Sequence, residues 1–172
     1  FILTSPFTKI QHFSKNQTVL AEGDNVQSLG VVLSGSVQVV RNDYYGNRSI
    51  IALVESPQIF AEVFVFSDTP TMPVSVISAA DSRIMLVGLK KILSESPDQS
   101  LFYSKLINNL LRLVTEKNLR LNEKIEIISK RTIREKLMTF LLFQARLQGG
   151  NSFTIPYDRQ GLADYIEADR SA

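Results

Sequence analysis

The segment LFYSKLINNLLRLVTEKNLRLNEKIEIIS, residues 101–129, sets the architecture of the whole chain. It contains neither glycine nor proline, the two residues that most strongly interrupt helices. At 1.5 Å per residue, a helix of about 30 residues is roughly 45 Å long, well beyond the usual helix of a globular domain. The segment therefore predicts one long helix.

Apolar residues recur along this helix in alternating steps of four and three. When Leu111, Asn118 and Ile125 are taken as a positions, the remaining members fall at d positions. A single asparagine at an a position is a known device for fixing the register and a two-stranded state. The spacing favours a dimer seam, and the alternative is a face packed on the chain's own core. The seam consists of Ile107, Leu111, Val114, Asn118, Leu121, Ile125 and Ile128.

The sequence before the long helix is typical of strands. From Phe13 to Val87, short β-rich runs are separated by turn signals, and Gly23, Gly35 and Gly46 stand where the chain must reverse. Several short strands at close spacing predict a barrel, a jelly roll or a β-roll. At about residue 89 the apolar period changes from two to three or four, which indicates helices from there on.

The sequence after the long helix predicts a small helical domain. Thr132 and Glu135 form a capping-box pattern, and the helix that they begin stops at Gly149. NSFTIP predicts a short strand, and Asp158 is expected to cap the helix RQGLADYI. EAD then predicts a tight turn, so the arrangement is that of a helix-turn-helix. The residues of the first of these helices expected to face a small core are Ile133, Leu137, Phe140, Leu141 and Leu147.

Composition excludes several classes of site. The absence of cysteine excludes disulfides, thiolate-held iron–sulfur clusters and cysteine nucleophiles. A single histidine, His12, argues against a multi-histidine metal site, so no metal is expected, and His12 in its polar stretch argues against haem. The net charge of +2 means that a nucleic-acid interaction must depend on where the charges lie. No run approaches the roughly 20 apolar residues of a membrane span.

The order of these motifs resembles the Crp/Fnr family of bacterial transcription regulators, and the resemblance covers essentially the whole chain. AEGDNVQSLGVVLSGSVQVV resembles the family's early β-roll, and IFAEVFVFSD lies where the family has its Gly-Glu-Leu stretch. The long helix resembles the dimerisation helix, and FTIPYDRQGLADYIEADRSA resembles the start of the winged helix-turn-helix. The resemblance implies an α+β chain whose winged helix-turn-helix is incomplete, so a C-terminal truncation is expected. Without an initiator Met, the N-terminus is also expected to be missing.

The resemblance also implies where DNA would be contacted. Arg159 and Gln160 fall where the family touches phosphates from the first helix of the pair. Asp169, Arg170 and Ser171 fall at the start of the recognition helix, where an arginine can hold guanine O6 and N7 in a bidentate pair. The alternative is that both arginines are ordinary solvated charges. The resemblance implies two partners, a promoter operator and a second copy of the chain. RNA polymerase is a further partner that the resemblance allows.

The family's cyclic AMP cassette is only partly present. Glu62 is retained, whereas Ala61 replaces the preceding glycine and Met72 and Pro73 stand at the Arg-Ser positions. A thioether cannot neutralise a phosphate and proline has no amide hydrogen to donate, so cyclic AMP in the family's usual pose is not expected. We expect an unidentified, more apolar or flat effector in a pocket composed of Phe60, Glu62, Phe64, Met72, Pro73, Val74, Asn118 and Leu119.

The predicted organisation is a β-roll effector-sensing domain over residues 1–98, a long dimerisation helix over 99–130 and the start of the DNA-binding domain over 131–172. The predicted function is that of a cytoplasmic, dimeric, sequence-specific DNA-binding transcription regulator. One alternative is a cyclic-nucleotide-type sensor module that acts through protein contacts without DNA. An enzyme of the cupin type is disfavoured, because cupins need a cluster of histidines around a metal and this chain has one histidine.

Overall fold

The computed structural model describes residues 7–67, 71–88, 100–150 and 152–168. The chain divides into two compact units, Phe1–Gln99 and Ser100–Ala172, which we call the β-roll unit and the helical unit. The strands of the β-roll unit are β1 Thr8–Phe13, β2 Thr18–Leu20, β3 Leu29–Ser34, β4 Ser36–Asn42, β5 Arg48–Glu55, β6 Ile59–Phe60, β7 Ser75–Ser78 and β8 Ser82–Val87.

These strands form two antiparallel sheets of four. One sheet has the order β1-β8-β3-β6 and the other β2-β7-β4-β5, so strands distant in sequence are neighbours in both. The tight connection between β3 and β4 depends on Gly35, whose φ of +78° favours glycine. A β-carbon there would also overlap the Asp81 carbonyl and the Ser82 hydroxyl. The predicted β-roll is therefore confirmed as two antiparallel four-stranded sheets.

Side chains from both sheets and from the segments between the strands form an apolar core. A β-carbon at Gly30 of β3 would overlap the ring of Phe60 on β6, so the missing side chain lets the ring lie directly on the β3 backbone. Phe60 is only 1% exposed. The buried members of the core are Val26, Val32, Val37, Val54, Phe60, Met72, Val74, Val76 and Ile84.

A short helix interrupts the strands directly after β6. This helix, α1, spans Glu62–Phe66, and the residue before it, Ala61, has a left-handed backbone with φ of 62°. No side chain caps the start of α1. The sequence predicted a strand-like run here. Alanine rarely adopts a left-handed backbone, so Ala61 gives no local signal that the strand ends.

The helical unit contains α2 Ser100–Ile128, α3 Ile133–Gln148 and α4 Arg159–Ile166. The predicted capping box of α3 is confirmed: the Glu135 N–H donates to Thr132 Oγ1 at 3.2 Å, and the Thr132 N–H donates to Glu135 Oε2 at 3.1 Å. Gly149 ends α3 with φ of 72°. Ile127, Phe140 and Ile166, one from each helix, form the centre of the small core.

Two local predictions were wrong in this unit. Residues 152–156 form no strand, because the Gln148 side chain serves the backbone of Thr154: it accepts from the N–H at 3.0 Å and donates to the carbonyl at 2.8 Å. Ile133 and Leu147 do not face the core and are 38% and 73% exposed. They lie in the first and last turns of α3, where fewer neighbours are available to cover them.

Candidate functional site

The first helix of the predicted DNA-binding pair is α4, and Asp158 begins it as predicted. The Gly161 N–H donates to Asp158 Oδ1 at 2.7 Å, which satisfies one of the free donors at the helix start. Arg159 and Gln160 in the first turn are exposed. The Gln160 amide donates to Asp164 Oδ1 at 2.6 Å. Asp169, Arg170 and Ser171 lie outside the described residues.

The end of α4 is fixed by a side chain of α3. Glu167 has a left-handed backbone with φ of 53°, and its N–H donates to the Ala163 carbonyl. Lys136 Nζ donates to the Glu167 carbonyl at 2.9 Å. A lysine at a helix C-terminus also complements the partial negative charge of the helix dipole. The turn that follows α4 therefore begins from a backbone that α3 holds in place.

Lys124 of α2 is a buried charge that the sequence did not predict. Its side chain is 6% exposed, and Nζ has no hydrogen-bond partner among the described residues. Nζ lies 4.2 Å from the centroid of the Tyr165 ring on α4, in cation–π geometry. Burial lowers the pKa of Lys124 to about 8; the Glu167 carboxylate opposes this shift and Lys136 adds to it.

Tyr165 belongs to a small aromatic cluster. Its ring stacks on Tyr157 at 4.8 Å between centroids, and Phe140 meets it edge-on at 5.6 Å. Burial raises the pKa of Tyr165, Glu123 raises it further and Arg120 acts in the opposite direction. The sequence contains one signal for this site. Lys124 is three residues before Ile127, so the two side chains lie on the same face of α2.

The predicted dimer seam is an apolar stripe on α2, and most of it is exposed in the single chain. The side chain of Asn118 accepts a hydrogen bond from the Asn122 amide at 3.2 Å and is exposed, and Ile128 is half-buried. The exposed fractions of the other members are 59% for Ile107, 64% for Leu111, 43% for Val114, 45% for Leu121 and 58% for Ile125.

The predicted effector residues are divided between the two units. Phe60, Met72 and Val74 are no more than 5% exposed and belong to the β-roll core, against which Phe64 packs. Pro73 is exposed, and Glu62 is buried at 5% exposure. Asn118 and Leu119 lie on α2 of the helical unit and are both exposed. An effector that touched Phe60, Met72 or Val74 would have to displace part of the core.

The helical unit also has a groove of about 280 Å³. It lies between α2 and α3, and none of the predicted effector residues lines it. Its lining consists of Glu123, Phe143, Gln144, Arg146 and Leu147.

The described residues contain neither a cluster of metal-ligating side chains nor a helix that could span a membrane. No group of three or more His, Cys, Asp or Glu side chains in that part of the chain could hold a metal ion. His12 lies exposed on β1, opposite Arg83 of β8. None of the helices in the same residues has the length and apolar character needed to span a bilayer.

A family model for the cyclic nucleotide-binding domain matches residues 10–95, half of the chain. The chain belongs to the cyclic nucleotide-binding domain family. A similar curated protein is the global nitrogen regulator of Nostoc sp. (strain PCC 7120 / SAG 25.82 / UTEX 2576). It is 22% identical over 175 residues, which cover 94% of this chain and 73% of that protein.

Solved structures of regulators share the fold. CLP of Xanthomonas campestris, described as a c-di-GMP responsive global regulator, matches with a TM-score of 0.80 at 14% identity, over 96% of this chain and 82% of its own. FixK2 from Bradyrhizobium japonicum matches with a TM-score of 0.70 at 17% identity, over 93% and 77%. A CRP-family transcriptional regulator from Thermus thermophilus matches with a TM-score of 0.65 at 16% identity, over 94% and 78%. The predicted resemblance to Crp/Fnr regulators is therefore confirmed.

Proposed function

We propose that this chain is a dimeric, DNA-binding transcription regulator of the Crp/Fnr type, controlled by an effector other than cyclic AMP in its β-roll. The observation that carries the proposal is the helical unit, in which a 29-residue helix with an exposed apolar stripe packs with two further helices, α3 and α4. On this proposal α4 is the first helix of a helix-turn-helix. The relatives and structural neighbours named above support it. On this proposal the protein catalyses no reaction and acts in the cytoplasm, with RNA polymerase as a further partner at promoters.

The exposed stripe on α2 supports the proposed dimer. Leu111 and Ile125 are 64% and 58% exposed and lie two heptads apart, with Asn118 midway between them. Soluble monomers rarely expose large contiguous apolar surfaces, and a heptad stripe is the geometry that a second parallel helix covers. Asn118 facing its own copy would specify a two-stranded register.

The dimer is tested by sedimentation velocity on the chain and two variants. Leu111→Glu places two carboxylates in the seam and is expected to raise the dimer dissociation constant at least about 100-fold, because each charge would be buried without a partner. Leu119→Glu is the matched control, since Leu119 is 60% exposed on the same helix but off the seam. A chain that is monomeric at micromolar concentration, or equal dissociation by both variants, would contradict the seam.

DNA binding is assigned to α4 and the turn beyond it. Exposed Arg159 beside the capped start of α4 has the charge and position for a phosphate contact, which sets the register of a helix pair on the duplex. The natural gene product is used to select sites from a random DNA pool. Arg159→Ala should then weaken binding to all sequences alike and reduce the salt slope by about two for the dimer, one per subunit.

Arg112→Ala is the control for this measurement, because Arg112 is an exposed arginine of α2 paired with Glu116 at 3.0 Å. It should leave affinity and salt slope unchanged. A dimer that selects no DNA would overturn the DNA proposal and would instead support a sensor that acts through protein contacts.

The exclusion of cyclic AMP follows from the side chains at the cassette positions. Met72 is 2% exposed within an apolar core, and Pro73 offers no N–H, so neither can neutralise or donate to a cyclic phosphate. Titration calorimetry with cyclic AMP should show no saturable heat at millimolar ligand. Native mass spectrometry of the purified dimer would identify a retained effector, and a clean shift of two cyclic AMP molecules per dimer would contradict this exclusion.

A further inference from the structure

The contact between Lys124 and Tyr165 is a charged link between α2 and α4. The ammonium lies 4.2 Å from the ring centroid, is almost fully buried and has no hydrogen-bond partner among the described residues. The ring cannot move freely, because Tyr157 stacks on it and Phe140 meets it edge-on. A cation–π contact recovers part of the lost hydration of an ammonium but replaces none of its hydrogen bonds.

Charged groups from all three helices act on this contact. Glu167 at the end of α4 favours the protonated amine, and Lys136 of α3 disfavours it while donating to the Glu167 carbonyl. On α2 itself, Glu123 and Arg120 act on the Tyr165 ring in opposite directions. The balance is dominated by burial, which lowers the pKa of Lys124 to about 8.

We propose that the Lys124–Tyr165 contact is a charge-dependent lock, which holds α4 firmly against α2 when the Lys124 amine is neutral and loosely when it is protonated. When α4 moves away, Lys124 reaches water and can carry its charge at little cost. When α4 is closed, the charge must be kept in a site where the described residues offer one ring face and no hydrogen-bond acceptor. Closing therefore favours release of a proton.

The direction of the pH effect follows from linkage. The closed state, with a pKa of about 8, binds fewer protons than the open state, whose lysine has the ordinary value of 10.5. Closing is therefore weakest and insensitive to pH below about 8, and it strengthens as the pH rises towards 10.5. With these two values, the opening equilibrium of α4 falls about tenfold between pH 7 and pH 9.

The first test is a pH titration of the lysine Cε carbons by NMR on the unchanged chain. One lysine resonance is expected to titrate near pH 8, well below the others, and to be missing in Lys124→Met. Tyr165→Leu should move its midpoint to still lower pH, because the protonated form loses the ring face. Titration of every lysine near pH 10.5 would overturn the proposal without requiring any variant to fold.

The second test is hydrogen exchange of the α4 amides, read by mass spectrometry at pH 7 and pH 9. The exchange rate of the unchanged chain is divided by that of Lys124→Met, which cancels the intrinsic pH effect on exchange. This ratio should fall about tenfold from pH 7 to pH 9. Lys105→Met, an exposed lysine of the same helix, is the matched control and should follow the unchanged chain. A ratio that does not change with pH would contradict the lock.

If α4 is the first helix of the DNA-reading pair, as in the proposed function, the lock would also make its placement sensitive to pH near 8. That consequence rests on the proposed function, whereas both tests are made without DNA. Failure of the lock and failure of DNA binding are therefore separate results.

Discussion

The β-roll unit and the helical unit bury apolar surface in different ways. In the β-roll unit, both sheets contribute to one apolar core, and the Phe60 ring fills the space left by Gly30. In the helical unit, three buried apolar residues share the interior with a lysine, while a stripe of large apolar residues on α2 remains exposed. The difference is that the helical unit leaves large apolar side chains uncovered in the single chain, and the proposed dimer would cover them.

The largest expected effect is on the complete core. Phe60→Ala removes a fully buried ring from between two strands and should lower the free energy of unfolding of the β-roll unit by about 4 kcal/mol. Val63→Ala, at a side chain that is 60% exposed nearby, is the control and should change it by less than about 0.5 kcal/mol. Urea-dependent hydrogen exchange reads the two units separately. A loss shared equally by α3 and α4 would show that the units do not keep separate cores.

The next effect in size concerns the charged core. Lys124→Met replaces a buried ammonium by an apolar side chain of similar length and should stabilise the helical unit by about 2 kcal/mol at pH 7. The folded pKa of about 8 lies below the unfolded 10.5, so the penalty of the lysine is complete below pH 8 and disappears as the pH rises to 10.5. In urea unfolding, the stabilisation produced by Lys124→Met should therefore be smaller at pH 10 than at pH 7. An equal stabilisation at both pH values would mean that packing, rather than the charge of Lys124, accounts for the difference in the free energy of unfolding.

A smaller effect is expected at the start of α3. Thr132→Ala removes one half of the capping box and should destabilise the helical unit by about 1 kcal/mol. Hydrogen bonds from Thr132 lower the pKa of Glu135, so the contribution of the box is present at neutral pH and is lost as the pH falls through that lowered value. Thermal unfolding at pH 7 and pH 3 measures both. If the variant and the wild type differ equally at the two pH values, the Thr132 hydroxyl does not stabilise the Glu135 carboxylate.

Local signals account for what the sequence predicted correctly. The four-and-three spacing of α2, the Thr132–Glu135 box and the Asp158 cap each depend on residues within one or two turns, so they can be read without the fold. The strand and turn signals before residue 89 were enough to predict a barrel, a jelly roll or a β-roll, but not the pairing order of its strands. That order depends on contacts between strands far apart in the sequence, as in the pairing of β1 with β8.

Features that depend on distant neighbours could not be read from the sequence. Lysines are rarely buried, so the burial of Lys124 follows only from the docking of α4 onto α2. The predicted effector residues Met72 and Val74 form core in the structure, because the packing of two sheets decides whether an apolar side chain lines a cavity or fills it. NSFTIP has strand-like composition, but in the structure the Gln148 side chain on α3 bonds both the N–H and the carbonyl of Thr154.

The smallest effect separates backbone strain from packing beside Phe60. Ala61 has a left-handed backbone, which costs a residue with a β-carbon about 1–2 kcal/mol, whereas glycine adds about 0.4–1 kcal/mol of unfolded-state entropy. Ala61→Gly should therefore stabilise the β-roll unit by about 0.5 kcal/mol. Ala52→Gly, within β5, has no such strain to relieve and should destabilise the unit by about 0.5–1 kcal/mol. Urea unfolding at pH 7 measures both. If both variants lowered the free energy of unfolding equally, the left-handed backbone at Ala61 would carry no strain for glycine to relieve.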